Sequence, residues 1–382
     1  MNEEKKRILE MVEAGVISAS EAVTLLEALE KQPKPGVQRE RRDSFLDELV
    51  RLGQKFSSQK QWQSSESAGS QPKDKLFQFI QSTVQRLKDF EFPLGKAVEF
   101  SHVFEEKAFS PARIKAEIAN GNFVMKPWKE DGVKAECQVK VYGADQEDEA
   151  RESFIKNSVF YARDHKLSFS VGLKLMKVDT VLYVPEEAIG EVSVKLFNGS
   201  FRVEDAIMQE LDVKTANGQI EVRSSRLEDF EGETGNGPIY FIDCQSKKAA
   251  ANSFNGAIHV VGSVGYTDIQ SFNGNILCDI KSQAAHTVKA QAVTGNIEVY
   301  VPENMAMKGE LRTNLGSLQL PEQGMKKVTE KEETVQKFVH FESEREALER
   351  VTIEAGTKTG SIAVKTSAVP DETSEEPPEV LE

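Results

Sequence analysis

The chain has only three cysteines and five histidines in 382 residues. Three cysteines cannot make a disulfide framework, and no two stand in CxxC spacing. Cys137 alternates with Ala135, Val139 and Val141, while Cys244 and Cys278 also sit in apolar, strand-like surroundings, so all three read as core residues. The histidines at 102, 165, 259, 286 and 340 are scattered and offer no zinc-ligand spacing. Basic charge is short as well: 48 Lys and Arg against 62 Asp and Glu give a net charge of −14, which disfavours a nucleic-acid partner. No apolar run reaches membrane-spanning length, and Met1–Arg7 leads into an amphipathic stretch without the apolar segment of a secretory signal. The expected location is cytoplasmic, peripheral at the membrane at most, with surface exposure left open. There is no GxSxG elbow, phosphate-binding glycine loop, HExxH pair or alternating-aspartate calcium loop. The acidic pairs Glu130–Asp131 and Glu228–Asp229 each stand beside a turn glycine, Gly132 or Gly232, where solvated charge is the ordinary case. The chain reads as a non-enzyme with no catalytic residue, no metal site and no cofactor.

What it has is a repeated phrase, cleanest at Thr215-Ala216-Asn217-Gly218-Gln219-Ile220-Glu221-Val222. Its glycine recurs as Gly121, Gly199, Gly218, Gly237, Gly256, Gly274, Gly295, Gly316 and Gly360. Two residues later the chain is always apolar: Phe123, Phe201, Ile220, Ile239, Ile258, Ile276, Ile297, Leu318, Ile362. Two further on it is apolar again, from Met125 through Val222 and Cys278 to Val364. Asn-Gly takes positive φ readily and marks a corner, and alternation behind it describes a strand with one buried face. From Gly199 the steps are 19, 19, 19, 18, 21 and 21 residues to Gly316. A period near 20 with short strands predicts successive coils of a single-stranded β-solenoid, stacked about 4.8 Å apart. Thr215, Thr234, Ser253 and Ser271 form one column, expected to be a hydrogen-bonding ladder. Outward positions are mostly Gln, Glu, Arg, Lys and His, with Tyr240 and Tyr300 as exceptions.

The flanks divide the chain. Residues 1–31 read as a helical hairpin: Ile8, Leu9, Met11 and Val12 form one stripe, Gly15 ends it, Ser18-Ala19-Ser20-Glu21 is a capping box, and Ala22, Leu25, Leu26 and Leu29 follow. A hairpin this small needs a partner, such as the same hairpin of another copy. Residues 32–73 form a linker with a short helix at Asp43–Phe56; between Lys31 and Lys60 it holds eight basic and four acidic residues. Residues 74–93 predict an amphipathic helix whose stripe is Leu76, Phe77, Ile80, Val84 and Leu87, with Phe79 and Phe90 at its margins. It suits capping of the solenoid's first coil, lying on a membrane, or self-association. Residues 98–366 are the solenoid. Its 78-residue gap between Gly121 and Gly199 reads as decorated coils or a hairpin layer, with Asp145–Arg151 an exposed charged loop. A second break precedes a last coil at 351–366, and 367–382 is an acidic tail expected to be disordered.

The stretch Ile8–Ala22, followed by Asn/Thr-Gly-x-Ile-x-Val repeats, resembles the LiaX and YvlB type of Gram-positive envelope-stress proteins, whose repeat region is described as adhesin-like. The resemblance covers residues 1–31 and about 100–366. It implies a β-strand-repeat fold and a role in the response to membrane- or wall-directed antimicrobials, and it supplies no catalytic residues. The preferred expectation is a scaffold or regulator binding a protein partner, an anionic membrane surface or both, and able to self-associate through the hairpin. A self-assembling, bactofilin-like structural protein and a carbohydrate-binding β-helix are the alternatives.

Overall fold

The computed structural model describes residues 96–367, apart from 173–174, 334–335 and 345–349. The hairpin, the basic linker, the amphipathic helix and nearly all of the acidic tail lie outside the described residues. The chain opens with β1 (Ala97–Lys107), β2 (Arg113–Asn120), β3 (Phe123–Trp128) and β4 (Gly132–Tyr142). Then come α1 (Glu147–Asn157), β5 (Ser158–Arg163), β6 (Lys166–Val171) and β7 (Met176–Pro185). Regular coils follow: β8 (Ile189–Asn198) and β9 (Phe201–Glu204), β10 (Met208–Asn217) and β11 (Ile220–Arg223), then β12 (Asp229–Asn236). Next are β13 (Ile239–Asn255), β14 (Ile258–Asn273), β15 (Ile276–Ile280), β16 (Thr287–Thr294) and β17 (Ile297–Pro302). The last are β18 (Ala306–Leu315), β19 (Leu318–Gln319), β20 (Met325–Glu333), β21 (Gln336–Ser343), β22 (Arg350–Thr359) and β23 (Ile362–Ser367).

Each coil is a long strand on one face, the glycine corner, a short strand on the second face, and a return bend. Parallel pairing joins equivalent positions, so Ile220 sits on Ile239, Ile239 on Ile258 and Ile258 on Ile276. The apolar columns face inward and are buried from Phe123 and Met125 to Ile362 and Val364; only Leu318 and Leu320 are partly exposed. The return bend is a second corner that the alternation did not reveal. Six residues after the glycine, Asp205, Ser224 and Asp243 take φ of 55°, 45° and 54°, a conformation that short polar side chains tolerate.

The glycine column is fixed by contact more than by φ. A Cβ on Gly218 would lie 2.0 Å from the carbonyl oxygen of Gly199, and one on Gly237 would lie 2.2 Å from that of Gly218. The column of Thr215, Thr234, Ser253 and Ser271 does not bond to itself. Each hydroxyl donates to the glycine carbonyl of the coil below, at 3.0–3.1 Å. The ladder belongs instead to the asparagines: Asn198 donates to Asn120, Asn217 to Asn198, Asn236 to Asn217 and Asn255 to Asn236, at 2.7–2.9 Å. An amide has a donor and an acceptor to hand on, whereas the hydroxyl is spent on the carbonyl it reaches.

Stacking order departs from chain order at both ends. Gly199 packs on Gly121, which packs on Val178 of β7, so the coil of β6 and β7 lies outside that of β2 and β3. At the other end Gly360 packs on Gly295 and Gly316 on Gly360. The coil expected to be last, β22 and β23, is therefore inserted between β16–β17 and β18–β19. Both long gaps in the repeat are excursions that build an outer coil and its cover. At the first end β4 and β1 add antiparallel strands to β7, and β5 adds one to β6. The segment expected as a charged loop at Asp145–Arg151 lies largely in α1. Acidic Glu147, Asp148 and Glu149 suit its N-terminal turn, and Ala150 and Phe154, four apart, are fully buried. Phe154 packs on Phe100 and Phe104, and Phe104 stacks on Phe160 at 5.2 Å. At the second end the β20–β21 hairpin pairs antiparallel with β18 and presents exposed Lys326, Glu330 and Lys331.

Gly237→Ala and Ile258→Asp should each cost on the order of 4 kcal/mol or more in chemical unfolding followed by circular dichroism, whereas His259→Asp should cost about 1 kcal/mol or less. Tolerance of Ile258→Asp together with intolerance of His259→Asp would overturn the register.

Candidate functional site

The nine glycines form one corner column, each packed on backbone of the coil below, and so build the wall. The stripe Leu76, Phe77, Phe79, Ile80, Val84, Leu87 and Phe90 lies outside the described residues. The groups with unusual chemistry are on the outward flank of the long strands, beside that corner. In β10, Leu211, Val213 and Thr215 face the core, so alternation points Asp212, Lys214 and Ala216 away from it. The next coil repeats this with Glu231, Glu233 and Gly235, and the coil after it with Ala250, Asn252 and Phe254.

Side chains pointing away from the core of a single sheet face are ordinarily solvent-exposed. Yet Glu233 is 0% exposed, Ala216 6%, Asn252 7% and Lys214 8%. Lys214 Nζ lies 3.3 Å from Glu233 Oε1 and 3.6 Å from both Asp212 Oδ1 and Glu231 Oε1. One ammonium thus serves three carboxylates, and both oxygens of Glu233 go without a hydrogen bond. Burial pushes the Glu233 carboxyl up to about 8; Lys214 opposes this and the carboxyl of Glu231 reinforces it. Burial raises Asp212 too. Lys214 is raised because Glu233, Asp212 and Glu231 together outweigh its own desolvation.

On the short strand that follows the corner the arrangement is the opposite. Glu221 is buried, but Arg223 and Arg202 bracket it and Gln219 donates at 2.9 Å. Burial works against its charge, and the two guanidiniums still hold the carboxyl below the usual range. Glu221 is a satisfied structural pair and Glu233 is not. A carboxyl protonated near neutrality can serve as a general acid. Here its neighbours are a lysine and further carboxylates on a flat strand face, and among the described residues no set of three His, Cys, Asp or Glu side chains is arranged to hold a metal.

Outward aromatics are more numerous than Tyr240 and Tyr300. Phe254 and Phe272 stack at 4.7 Å on the same flank, and Trp128 lies 5.3 Å from Tyr183 on the other face. The Trp128–Tyr183 surface is filled by the protein's own Lys134, 5.1 Å and 4.7 Å from the two rings and 2.9 Å from Glu136. Tyr300 donates to Glu298 and accepts from Lys365. The acidic pairs Glu130–Asp131 and Glu228–Asp229 are exposed, with Glu228 bonded to Lys247. The three cysteines are buried, and burial pushes their thiols up to about 11, 11 and 12.

Comparison with known proteins places the repeats. The profile of the Toastrack DUF4097 family matches residues 157–365, more than half of the chain. The chain belongs to the Toastrack DUF4097 family. A SHOCT-like domain profile matches residues 3–34, ahead of the Toastrack region. The chain is 35% identical over 370 residues to the uncharacterized protein YvlB of Bacillus subtilis (strain 168), covering 96% of this chain and all of that one. The YvlB resemblance read from the hairpin and repeats therefore holds over nearly the whole length. Among solved structures, a candidate adhesin from Parabacteroides distasonis ATCC 8503 is 12% identical with a TM-score of 0.41, covering 72% of this chain and 98% of its own. A candidate adhesin from Bacteroides fragilis NCTC 9343 is 17% identical with a TM-score of 0.31, covering 73% of this chain and all of its own. Likenesses this distant carry no argument about what a Toastrack chain binds. Membership fits a non-enzymatic β-solenoid protein, and among the described residues no helix is long and apolar enough to cross a membrane.

Glu233 gives the Toastrack flank a pH dependence of definite sign. A carboxyl whose folded pKa is raised binds more protons folded than unfolded, so stability falls as pH rises from the ordinary carboxylate range towards 8. The melting temperature of Glu233→Gln minus that of the parent should therefore be more positive at pH 8 than at pH 5. A difference independent of pH would show that Glu233 is not held protonated.

Proposed function

We propose that this Toastrack chain is a non-enzymatic scaffold and regulator of the cell-envelope stress response, engaging a protein or anionic membrane partner through its helical N-terminal region and its solenoid surface. The observation that carries the reading is division of labour along the chain. The coils form a platform in which every corner and core column is committed to packing, while the regions of recognisable binding chemistry precede it: a SHOCT-like match, a basic linker and an amphipathic stripe. The alignment with YvlB of Bacillus subtilis covers 96% of this chain and so reaches into both of these regions. Closure of the platform favours a finite particle over an end-to-end filament, because antiparallel strands, α1 and a charged hairpin occupy the edges where another solenoid would add.

The test is co-sedimentation of the full chain with vesicles rich in phosphatidylglycerol, set against neutral phosphatidylcholine vesicles. The parent should bind the anionic vesicles, and Ile80→Asp with Leu87→Asp should weaken that binding by about tenfold or more, since two apolar anchors are lost. Equal sedimentation of parent and variant removes the membrane arm. Crosslinking in cells treated with a membrane-directed antimicrobial then decides whether a protein partner remains.

A further inference from the structure

The asparagine ladder beside the corner is also a row of reactive pairs. In an Asn-Gly pair the glycine nitrogen can attack the preceding side-chain amide, because glycine has no side chain to hinder the approach. The chain holds six such pairs, at Asn120, Asn198, Asn217, Asn236, Asn255 and Asn273, each followed by a corner glycine. In all six the glycine N–H donates to the coil above at 2.8–3.1 Å, so attack requires the corner to open locally. What differs among them is how firmly the rest of the corner is held.

The side chains of Asn120, Asn198, Asn217 and Asn236 each accept from the next asparagine at 2.7–2.9 Å, and Asn255 donates at the top of that run. All five are half-buried. Asn273 is the end of the row. It reaches Asn255 only across 3.5 Å, its side chain is exposed, and Thr294, in register above it, carries no amide to continue the ladder. The hydroxyl column breaks at the same place. Ser271 holds the carbonyl of Gly256, Thr357 that of Gly295 and Thr313 that of Gly360, whereas Ala292 stands in this column above Ser271 and has no hydroxyl for Gly274. Asn273–Gly274 is the one Asn-Gly corner at which both ladders stop.

We propose that Asn273 is a site of spontaneous covalent modification, at which the side-chain amide is lost as ammonia and aspartate or isoaspartate is left at the corner. The Gly274 nitrogen bonds to Asn273 Cγ, and the side-chain nitrogen leaves as ammonia with the proton that the Gly274 nitrogen gives up. Water then opens the cyclic imide. Cleavage at Cγ restores the ordinary backbone as aspartate, and cleavage at the main-chain carbonyl leaves isoaspartate. The net reaction consumes one water and releases one ammonia, with no change of oxidation state. Isoaspartate routes the main chain through the side-chain methylene. It lengthens a corner where a Cβ on Gly274 would already lie 2.1 Å from the Gly256 carbonyl oxygen, so the product loosens the stack at this coil.

The test is peptide mapping by mass spectrometry of the full chain held in warm, mildly alkaline buffer. Trypsin releases Asn255 and Asn273 in one peptide, bounded by Lys248 and Lys281, and both stand in the same Ser-Phe-Asn-Gly context. Conversion of amide to acid should be at least about tenfold faster at Asn273 than at Asn255 or any other corner asparagine. In urea, where no ladder exists, Asn255 and Asn273 should react within about twofold of each other. Thr294→Asn extends the row, and should slow Asn273 by at least about fivefold while moving the fast conversion to position 294. Equal rates at 255 and 273 in the folded chain would overturn the proposal. Conversion at 273 that Thr294→Asn leaves unchanged would overturn the broken ladder as its basis.

Discussion

At every corner of this solenoid a peptide carbonyl occupies the space where the residue above would carry its Cβ. Separations of 1.9–2.2 Å between a hypothetical Cβ and that oxygen recur from Gly199 to Gly360, and no side chain can shift to relieve them because the obstacle is backbone. Glycine is therefore the condition for coils to approach at sheet spacing, and the remaining columns follow from it. The hydroxyl three residues earlier reaches the glycine carbonyl below, the amide one residue earlier reaches the amide below, and the isoleucine two residues later lands on its counterpart.

Because every coil satisfies the same contacts, the repeated phrase specifies that coils stack without specifying which stacks on which. Gly360 is as good a neighbour for Gly295 as Gly316 is, and the chain uses that freedom at both ends. Order is decided by the non-repeating parts: β4, which must pair with β7, and the β20–β21 hairpin, which closes on β18. These parts also blunt the edges of a parallel sheet that would otherwise invite further strands.

This explains which features were legible in the amino-acid sequence. The corners and core columns could be read at residue level because glycine followed by apolar residues at two and four positions is what one coil requires of itself. Stack order could not, since it depends on relations among coils that look alike locally. α1 was hidden because its only buried residues, Ala150 and Phe154, sit among Glu147, Asp148, Glu149, Arg151 and Glu152, which read as a loop. The second corner carried a faint signal in Asp205, Ser224 and Asp243, residues that accept positive φ. The buried flank carried a misleading one: alternation assigns Lys214 and Glu233 to water, and only the three-dimensional environment reveals that Glu233 is closed off. In this chain attention shifts from the repeated corner to the flank beside it, where Glu233 is buried with no hydrogen bond to either oxygen.

The stack is locally uniform and globally out of chain order, and paired cysteines measure that order directly. Thr359 lies in register with Thr294 on one side and Leu315 on the other. Thr294→Cys with Thr359→Cys should form an intramolecular disulfide in mild oxidant, since adjacent coils are about 4.8 Å apart. Thr294→Cys with Leu315→Cys should remain reduced, since those coils are about 9.6 Å apart. Efficient crosslinking of 294 to 315, with none between 294 and 359, would mean that the coils stack in chain order and that β22–β23 is not inserted between the coils of β17 and β19.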